Sequence, residues 1–320
     1  MAHRISILVA SLIFIPNPQP LSAQACCSAG PPLLSTLEFS SAKYGSWLLA
    51  ITYEFNHLND LVSGSTELFE PSRRRAVHSG IVEFSYGVLK SISLSALLTV
   101  VQQERRVDVL AETPSEATLT TRGIGDAVVL VKYTIIPSTF PSQQEITIGI
   151  GGKIPFGSST LTSNGILLPA DMQPGTGSWD GIVWLYGSNG FMPHVPVDIF
   201  GNVSFRFTGT NKRYGSAQQG YRFGNEFLGT AGLSFKTESL LDFSLLFRAR
   251  HVKADRFGDS EIPNTGGVWL SALPGVNVKL LDVLTLRTSV QIPVYRNLTG
   301  TQLTTTFTAL VSIFYNILTN

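Results

Sequence analysis

Apolar and polar residues alternate along most of this chain, which is the pattern of strands with two unlike faces. Around residue 130, Val129, Val131 and Tyr133 share one side, whereas Lys132 and Thr134 share the other. The same alternation recurs in about twelve segments between Tyr44 and Ile317. The pattern predicts an all-β fold. A soluble sheet would alternate in the same way, so other features must identify what the apolar side contacts.

The connections between these segments alternate in length. The long, polar connections are 57–76, 104–122, 157–177, 209–220, 253–265 and 295–302. The short connections are 89–90, 137–144, 189–194, 237–241 and 281–282. Transmembrane β-barrels have long outer loops and short periplasmic turns, whereas a soluble β-sandwich has no reason to sort its loops in this way. The alternation therefore predicts a closed antiparallel transmembrane β-barrel.

The distribution of charge between the two faces agrees with a barrel. In hydrocarbon every backbone donor and acceptor must pair within the sheet, and only closure removes the edges. An Arg or Lys that faces lipid in the middle of the membrane destabilises a barrel by about 2–4 kcal/mol. Almost no charged residues occupy the positions that would face lipid. The charged residues that we expect to line the pore, and to pair across it, are Glu83, Lys132, Asp198, Arg206, Glu226, Arg248 and Arg287.

Composition supports a membrane location and excludes some partners. Charged residues make up 14% of the chain, against about 25% in ordinary soluble domains. The mean hydropathy is +0.19. The net charge is +1, so nothing indicates nucleic acid as a partner.

The N-terminus has the features of a secretory signal. Residues 1–25 combine a weakly basic start, an apolar run and the cleavage site Ala23-Gln-Ala25. We therefore predict a signal peptide at 1–25, a periplasmic segment at 26–43 and the barrel at 44–320. Export predicts the outer membrane of a Gram-negative-type bacterium, with its lipid and the barrel-assembly machinery as partners. Cys26 and Cys27 are expected to be an unspecialised or periplasmically oxidised pair.

Aromatic residues near the predicted strand ends suit the girdles that mark the two membrane interfaces. The alternative for these aromatics is the core of a soluble protein. The residues in question are Tyr44, Trp47, Trp179, Tyr186, Tyr221, Trp269 and Tyr315.

Motifs that would carry catalysis or bind a cofactor are weak or missing. The sequence has no Gly-x-Ser-x-Gly, no phosphate-binding Gly-x-x-x-x-Gly-Lys and no His-Glu-x-x-His, so we predict neither an enzyme nor a metal or cofactor site. His251, Asp255 and Ser260 could be drawn as a triad, because triads are recognised by geometry. Polar loop residues are the simpler interpretation.

The connection 157–177 is the candidate gating loop. Its first part, Ser158–Ser163, is small and polar, and an apolar part follows that we expect to guard the pore. An apolar patch in a polar outer loop could fold inward and contact an apolar solute, or it could pack on the rim. The gating residues that we predict are Ile166, Leu167, Leu168, Met172 and Pro174.

Three motifs carry a family resemblance. They are Gly123-Ile-Gly-Asp126 leading to Lys132-Tyr133, Gly149-Ile-Gly-Gly-Lys-Ile-Pro155 with Gly157, and Gln173-Pro-Gly-Thr-Gly-Ser-Trp-Asp180. With them, the chain resembles the outer-membrane proteins named phenol meta-pathway degradation-like, relatives of the fatty-acid and aromatic-hydrocarbon channels. Phe156 departs from the pattern, where a small polar residue is expected. The resemblance implies uptake of apolar or aromatic small molecules, and it supplies no catalytic residues.

These observations predict an outer-membrane channel for small hydrophobic or aromatic solutes. An unselective small porin is the alternative within the same class, and an outer-membrane barrel hydrolase is the alternative from another class. Hydrophobic transport predicts an apolar patch that leads inward from the outer loops. A general porin predicts an open, charged constriction, and a hydrolase predicts Ser and His within hydrogen-bonding distance at the rim.

Overall fold

The structure, a computed structural model, describes residues 41–69, 72–109, 115–138, 143–190, 196–215 and 220–318. The predicted signal peptide, Cys26, Cys27 and most of the predicted periplasmic segment lie outside the described residues. Within the described part, no helix has the length and apolar character required to cross a bilayer.

Within the described residues, eighteen strands and one short 3₁₀ helix, Ala170–Met172, follow each other along the chain. The strands are β1 Ser46–Gly64, β2 Thr66–Leu68, β3 Arg73–Leu89, β4 Ile92–Val109, β5 Ser115–Ile124, β6 Ala127–Ile136, β7 Gln143–Ile154, β8 Thr162–Ser163, β9 Ile166–Leu167, β10 Asp180–Gly190, β11 Val197–Phe207, β12 Tyr221–Arg222, β13 Glu226–Phe235, β14 Leu241–Val252, β15 Arg256–Phe257, β16 Ser260–Glu261, β17 Gly267–Leu281 and β18 Leu284–Leu318.

The main sheet closes on itself. Its order is β1-β3-β4-β6-β7-β10-β11-β13-β14-β17-β18, and β18 pairs with β1 to complete the ring. Every pairing along this ring is antiparallel. Because a closed ring leaves no unpaired edge around its circumference, the predicted all-β, closed antiparallel barrel is confirmed.

The last strand serves two neighbours. Its first part, from Leu284 to Leu298, pairs with β17, and its second part, from Thr301 to Leu318, pairs with β1. Gly300 lies between the two parts with a φ of 71°, a left-handed conformation that glycine adopts without steric cost. The predicted loop 295–302 is therefore almost entirely strand.

The two faces of the wall agree with the predicted alternation. On β3, Val82 and Phe84 are exposed on the outside, whereas Ile81, Glu83 and Ser85 between and beside them are buried on the inside. The other wall strands alternate in the same way, with Ile51, Leu98, Val131, Ile148 and Leu245 exposed. The outside of the barrel is thus an apolar band.

Strand length divides the ring into two sides. We call β1, β3, β4, β17 and β18 the tall wall, because these strands have 15 or more residues. We call β6, β7, β10, β11, β13 and β14 the low wall, because these strands have 10 to 12 residues. On the tall wall, the predicted loops 57–76 and 104–122 prove to be mostly strand. Strand ladders need only backbone partners, so they continue through polar sequence beyond the apolar band.

The interior differs from the polar lumen that the sequence predicted. Apolar side chains from five strands of the ring meet inside the barrel in one buried cluster, formed by Ile81, Leu97, Val128, Leu130, Ile182, Trp184, Tyr186 and Leu228. Tyr186 and Trp269, predicted at the membrane interfaces, are buried in the interior, and Tyr221 is buried among the outer loops. Tyr44 and Trp179 are exposed on the outside, as a girdle requires. The interior is a packed core with charged layers.

Candidate functional site

The seven predicted pore-lining residues all point inward, and two pairs of them contact each other. The Lys132 ammonium lies 3.8 Å from the Glu83 carboxylate and 4.7 Å above the centre of the Trp184 ring. The Arg206 guanidinium lies 2.7 Å from the Glu226 carboxylate. These contacts place opposite charges side by side in the interior.

The other three predicted residues have partners that the sequence did not indicate. Asp198 pairs with Lys236 near the short-turn end of the barrel. Arg248 donates to Gln291 at 2.7 Å, and Arg287 donates to Asn277 at 2.6 Å. Since these partners lie elsewhere in the sequence, on another strand or, for Lys236, just after one, alternation alone could not identify them.

A row of alternating charges crosses the inside of the low wall near its outer end. We call it the inner charge row: Asp126, Lys153, Asp180, Arg206, Glu226 and Arg250. Lys153 contacts Asp126 at 2.9 Å and Asp180 at 3.2 Å, and its side chain is fully buried. Arg206 continues the row, 3.6 Å from Asp180. Buried charges require partners of opposite sign, and each member of the row has at least one.

The outer loop 155–179 folds inward and is bound by the first member of this row. The Asp126 carboxylate accepts hydrogen bonds from the backbone and hydroxyl of Thr176, at 2.9 and 2.7 Å. Its other oxygen accepts from the backbone of Gly157 at 3.1 Å. Gly157 and Gly175 approach so closely that a Cβ on Gly157 would lie 2.5 Å from the Gly175 Cα. Both ends of the loop are therefore held at one carboxylate.

The next two members of the row hold the loop further along. Lys153 donates to the Ser178 carbonyl at 2.9 Å. Asp180 accepts from the Ser178 hydroxyl and from the backbone of Gly209, both at 3.0 Å. Gly209 opens the following outer loop, so the row joins two outer loops to the wall.

The inner charge row contains residues of the three sequence motifs, and their roles in holding the loop were not predicted from the sequence. Asp126, Lys153 and Asp180 each belong to one of those motifs. Thr176 and Ser178 lie on either side of Gly177 in the third motif. Composition showed small and polar residues there. It did not show which donors reach the Asp126 carboxylate, because Lys153, Gly157 and Thr176 lie 27, 31 and 50 residues away from it in sequence.

The predicted gating residues occupy two levels of the inward loop. Ile166 and Leu167 form β9, which pairs with β8, and Ile166 is exposed at the outer surface. Leu168 is buried one residue further, and Met172 and Pro174 are buried beneath it. The loop thus runs from the surface into the barrel.

Between these levels, Asp171 is bound by the tall wall. Arg75, fully buried, donates from Nη1 to the Asp171 carboxylate at 2.9 Å and from Nη2 to its carbonyl at 2.6 Å. Arg105 pairs with the same carboxylate oxygen. The loop is therefore attached to the low wall at Asp126 and to the tall wall at β3 and β4, and β4 is the neighbour of β6 in the ring.

Above the inward loop lies an apolar cavity of about 710 Å³. Leu167, Leu168 and Pro169 form one side of it, and Leu119 of β5 contributes from the wall. The remaining walls come from the two following outer loops, through Tyr214, Tyr221, Phe257, Ile262 and Pro263. The volume and the apolar lining of this cavity are typical of small-molecule binding sites, which are largely apolar and enclose about 300–1,000 Å³.

The polar atoms of the aromatic wall are satisfied within the protein. The Tyr221 hydroxyl donates to Asp255 at 2.5 Å, and the Tyr214 hydroxyl donates to the Leu168 carbonyl at 3.0 Å. Burial raises the pKa of Tyr214 to about 12, and it raises the pKa of Tyr221 as well. Both hydroxyls therefore stay protonated, and the aromatic wall offers an uncharged surface.

The residues drawn as a triad are not assembled. Asp255 accepts from Tyr221 and from the backbone of Gly224, and burial raises the pKa of its carboxyl. His251 lies on β14 next to the inward-facing Arg250 and is exposed on the opposite face. Among the described residues, no group of three or more His, Cys, Asp or Glu is arranged to hold a metal ion.

The barrel is similar to solved outer-membrane proteins. An outer membrane channel from Pseudomonas putida F1 is 9% identical, with a TM-score of 0.67 over 88% of this chain and 98% of that one. The P. putida toluene transporter TodX is 9% identical, with a TM-score of 0.43 over 92% and 96%. The NanC porin is 10% identical, with a TM-score of 0.44 over 84% and 98%.

At these identities the similarity shows the fold alone, and the two lower scores add nothing to it. No protein-family model matches the sequence, and no curated protein matches it. The chain thus has the fold of an outer-membrane β-barrel channel, and the resemblance to the phenol meta-pathway family stays a prediction.

Proposed function

We propose that this protein is an outer-membrane channel that takes up small, uncharged hydrophobic or aromatic solutes. The observation that carries the proposal is the apolar cavity of about 710 Å³ between the outer loops. Each Å² of apolar surface that a solute removes from water contributes about 25 cal/mol, so an uncharged apolar molecule is the ligand this cavity favours.

The proposal includes the location and the partners. The outside of the barrel is an apolar band, and its residues would contact outer-membrane lipid. Counting the two parts of β18 separately, we infer twelve membrane crossings, with the long connections outside the cell. Insertion of such a barrel would use the barrel-assembly machinery, after export directed by residues 1–25.

The interior argues for selective passage over an unselective porin. The buried apolar cluster and the inner charge row lie beneath the cavity, and both fill space that an open pore would leave to water. A polar cavity of about 310 Å³, lined by Asp198, Lys236 and Arg287, lies at the other end of the barrel. That cavity is the feature an unselective porin would use.

Uptake by whole cells tests the proposal. We expect cells with this protein in the outer membrane to take up radiolabelled naphthalene faster than cells without it, with a rate that saturates. Phe257→Asp would place a charge in the cavity wall and abolish the gain. Leu68→Asp, an exposed change on β2 away from the cavity, is the matched control and should leave uptake unchanged.

The alternative is tested in the same preparation. Liposomes that contain the purified protein should not swell in isotonic arabinose, because the interior is filled. Rapid swelling together with unsaturable naphthalene uptake would replace the proposal with the unselective porin. Equal uptake by cells with and without the protein would contradict transport of apolar solutes.

A further inference from the structure

Arg75 and Arg105 stand directly opposite each other on the inner face of the tall wall. They are register partners on β3 and β4, and both reach the Asp171 carboxylate of the inward loop. Like charges directly across a strand pair repel, and burial strengthens that repulsion. The wall is therefore arranged to receive an anion at this point, and the loop supplies one.

The attachment at Asp171 lies next to the cavity. Leu168, Pro169 and Ala170 line the cavity, and Asp171 is the following residue in the same 3₁₀ turn. Met172 is fully buried immediately after it, on the side of the barrel interior. The turn at Ala170–Met172 therefore forms the base of the cavity and also contributes side chains that fill the barrel interior.

The neighbouring contacts fix the position of this turn. Gln103, two residues before Arg105 on β4, accepts from Arg75. Gln173 binds the loop internally, accepting from the Leu161 backbone at 2.9 Å and donating to the Leu168 carbonyl at 3.1 Å. Tyr214 donates to the same Leu168 carbonyl from the next loop. Displacement of Asp171 would thus move the cavity base and one of its walls together.

We infer that Asp171 is a positioning residue that couples the solute cavity to the closure of the barrel. While its carboxylate is held by Arg75 and Arg105, the turn forms the cavity base and blocks the interior. When the carboxylate leaves the two arginines, the base is lost, the interior opens, and two arginines face the opened path. This inference rests on the proposed function for the identity of the solute, but the closure can be measured without any solute.

The variant Asp171→Asn removes the charge and keeps the size of the side chain. In planar bilayers we expect it to raise the ion conductance several-fold, and to shift the reversal potential in a KCl gradient toward chloride, because Arg75 and Arg105 would line the path. Purified Asp171→Asn should also bind naphthalene several-fold more weakly. Asp171→Glu retains a carboxylate and should restore all three values toward the wild type.

Asp60→Asn is the matched control. Asp60 pairs with Arg296 at 2.6 Å on the tall wall, and neither residue lines the cavity or contacts the inward loop. It should change neither selectivity nor naphthalene binding. If Asp171→Asn does not assemble, Arg105→Gln removes the more exposed arginine of the pair and should produce smaller shifts in the same direction for conductance and binding.

The inference would be overturned if Asp171→Asn and Arg105→Gln both had the same conductance, selectivity and naphthalene binding as the wild type. A different result is possible: the wild type does not bind naphthalene, but the conductance still rises in Asp171→Asn. That result would contradict the proposed solute and would support the role of Asp171 in closure. The two failures are therefore distinguishable.

Discussion

On the tall wall, strands of 15 to 35 residues continue well past the apolar band, whereas strands of the low wall end after 10 to 12. The tall wall is held by backbone ladders and needs few specific side chains at its outer end. The low wall ends where the inner charge row begins, and outer loops fold inward onto that row. Polar residues beyond the membrane therefore stabilise a strand on one side and an inward loop on the other.

The comparison also explains where the cavity lies. The inward loop is bound where the two walls meet, by Asp126 directly before β6 on the low side and by Arg75 of β3 on the tall side. The cavity is the space above this loop, and apart from Leu119 of β5 its remaining walls are loops of the low side.

The largest expected effect is at the inner charge row. Lys153→Met would leave the carboxylates of Asp126 and Asp180 buried without their shared cation, which costs about 3–5 kcal/mol. We expect the variant to lower the free energy of unfolding by that amount, measured by urea titration in lipid vesicles. Arg74→Met, at a half-exposed pair with Asp108, should cost about 0–1 kcal/mol. Equal losses would mean that the row does not hold the low wall.

The second prediction compares a substitution in the apolar band of the tall wall with one above that band. Val82→Arg places charge in the apolar band and should cost about 2–4 kcal/mol. Thr120→Arg, on exposed β5 beyond the band, should change stability by less than about 0.5 kcal/mol. The same urea titration measures both. Similar losses at the two positions would place the membrane boundary elsewhere.

A third prediction concerns the close approach that lets the loop enter the low wall. Gly157→Ala would press a Cβ against Gly175, and overpacking of this kind costs about 1–3 kcal/mol. We expect a matching loss of stability and a change in the fluorescence of Trp179, which ends the loop. Gly80→Ala, on the tall wall with open space around its Cα, is the control. If Gly157→Ala changes neither the stability nor the Trp179 fluorescence, the two loop ends do not need this contact.

Much of the tall wall followed from alternation, and much of the site did not. The inward and outward phases at Val82 and Glu83 are local properties of one strand, so period-two alternation predicted them. The polar outer ends of β1 and β4 were wrongly assigned to loops, because strands beyond lipid need no apolar face. The packed interior was missed because the face that carries Lys132 and Thr134 was expected to be polar, and Val128 and Leu130 lie in the same phase.

The pairings of the site are a matter of long-range contacts. Arg75 lies 96 residues from Asp171, and nothing local in the sequence indicates that they meet. The apolar part of the gating loop was predicted as a candidate solute contact or a rim patch. Leu168 lines the cavity and Met172 lies beneath it, so the loop enters the barrel. Its role in gating stays a prediction.

The smallest expected effect is at the mouth of the cavity. Ile166 is 73% exposed, so a solute would cover only part of it. Ile166→Ser should weaken naphthalene binding by about 1 kcal/mol or less, and it should leave stability unchanged. Val294→Ser, also exposed but on the barrel wall, should affect neither quantity. A complete loss of binding from Ile166→Ser would move the main contact from the interior of the cavity to its rim.

Equilibrium binding of naphthalene to the purified protein tests the central claim most directly, by comparing the wild type with a variant whose cavity is filled. Ser260 lines the cavity from β16 and is exposed, so Ser260→Trp would occupy the space without disturbing the buried loop. Ser239→Trp, in a short turn at the other end, is the control. We predict one saturable site in the wild type and in Ser239→Trp, and its loss in Ser260→Trp. Unchanged binding in Ser260→Trp would contradict a solute site between the outer loops.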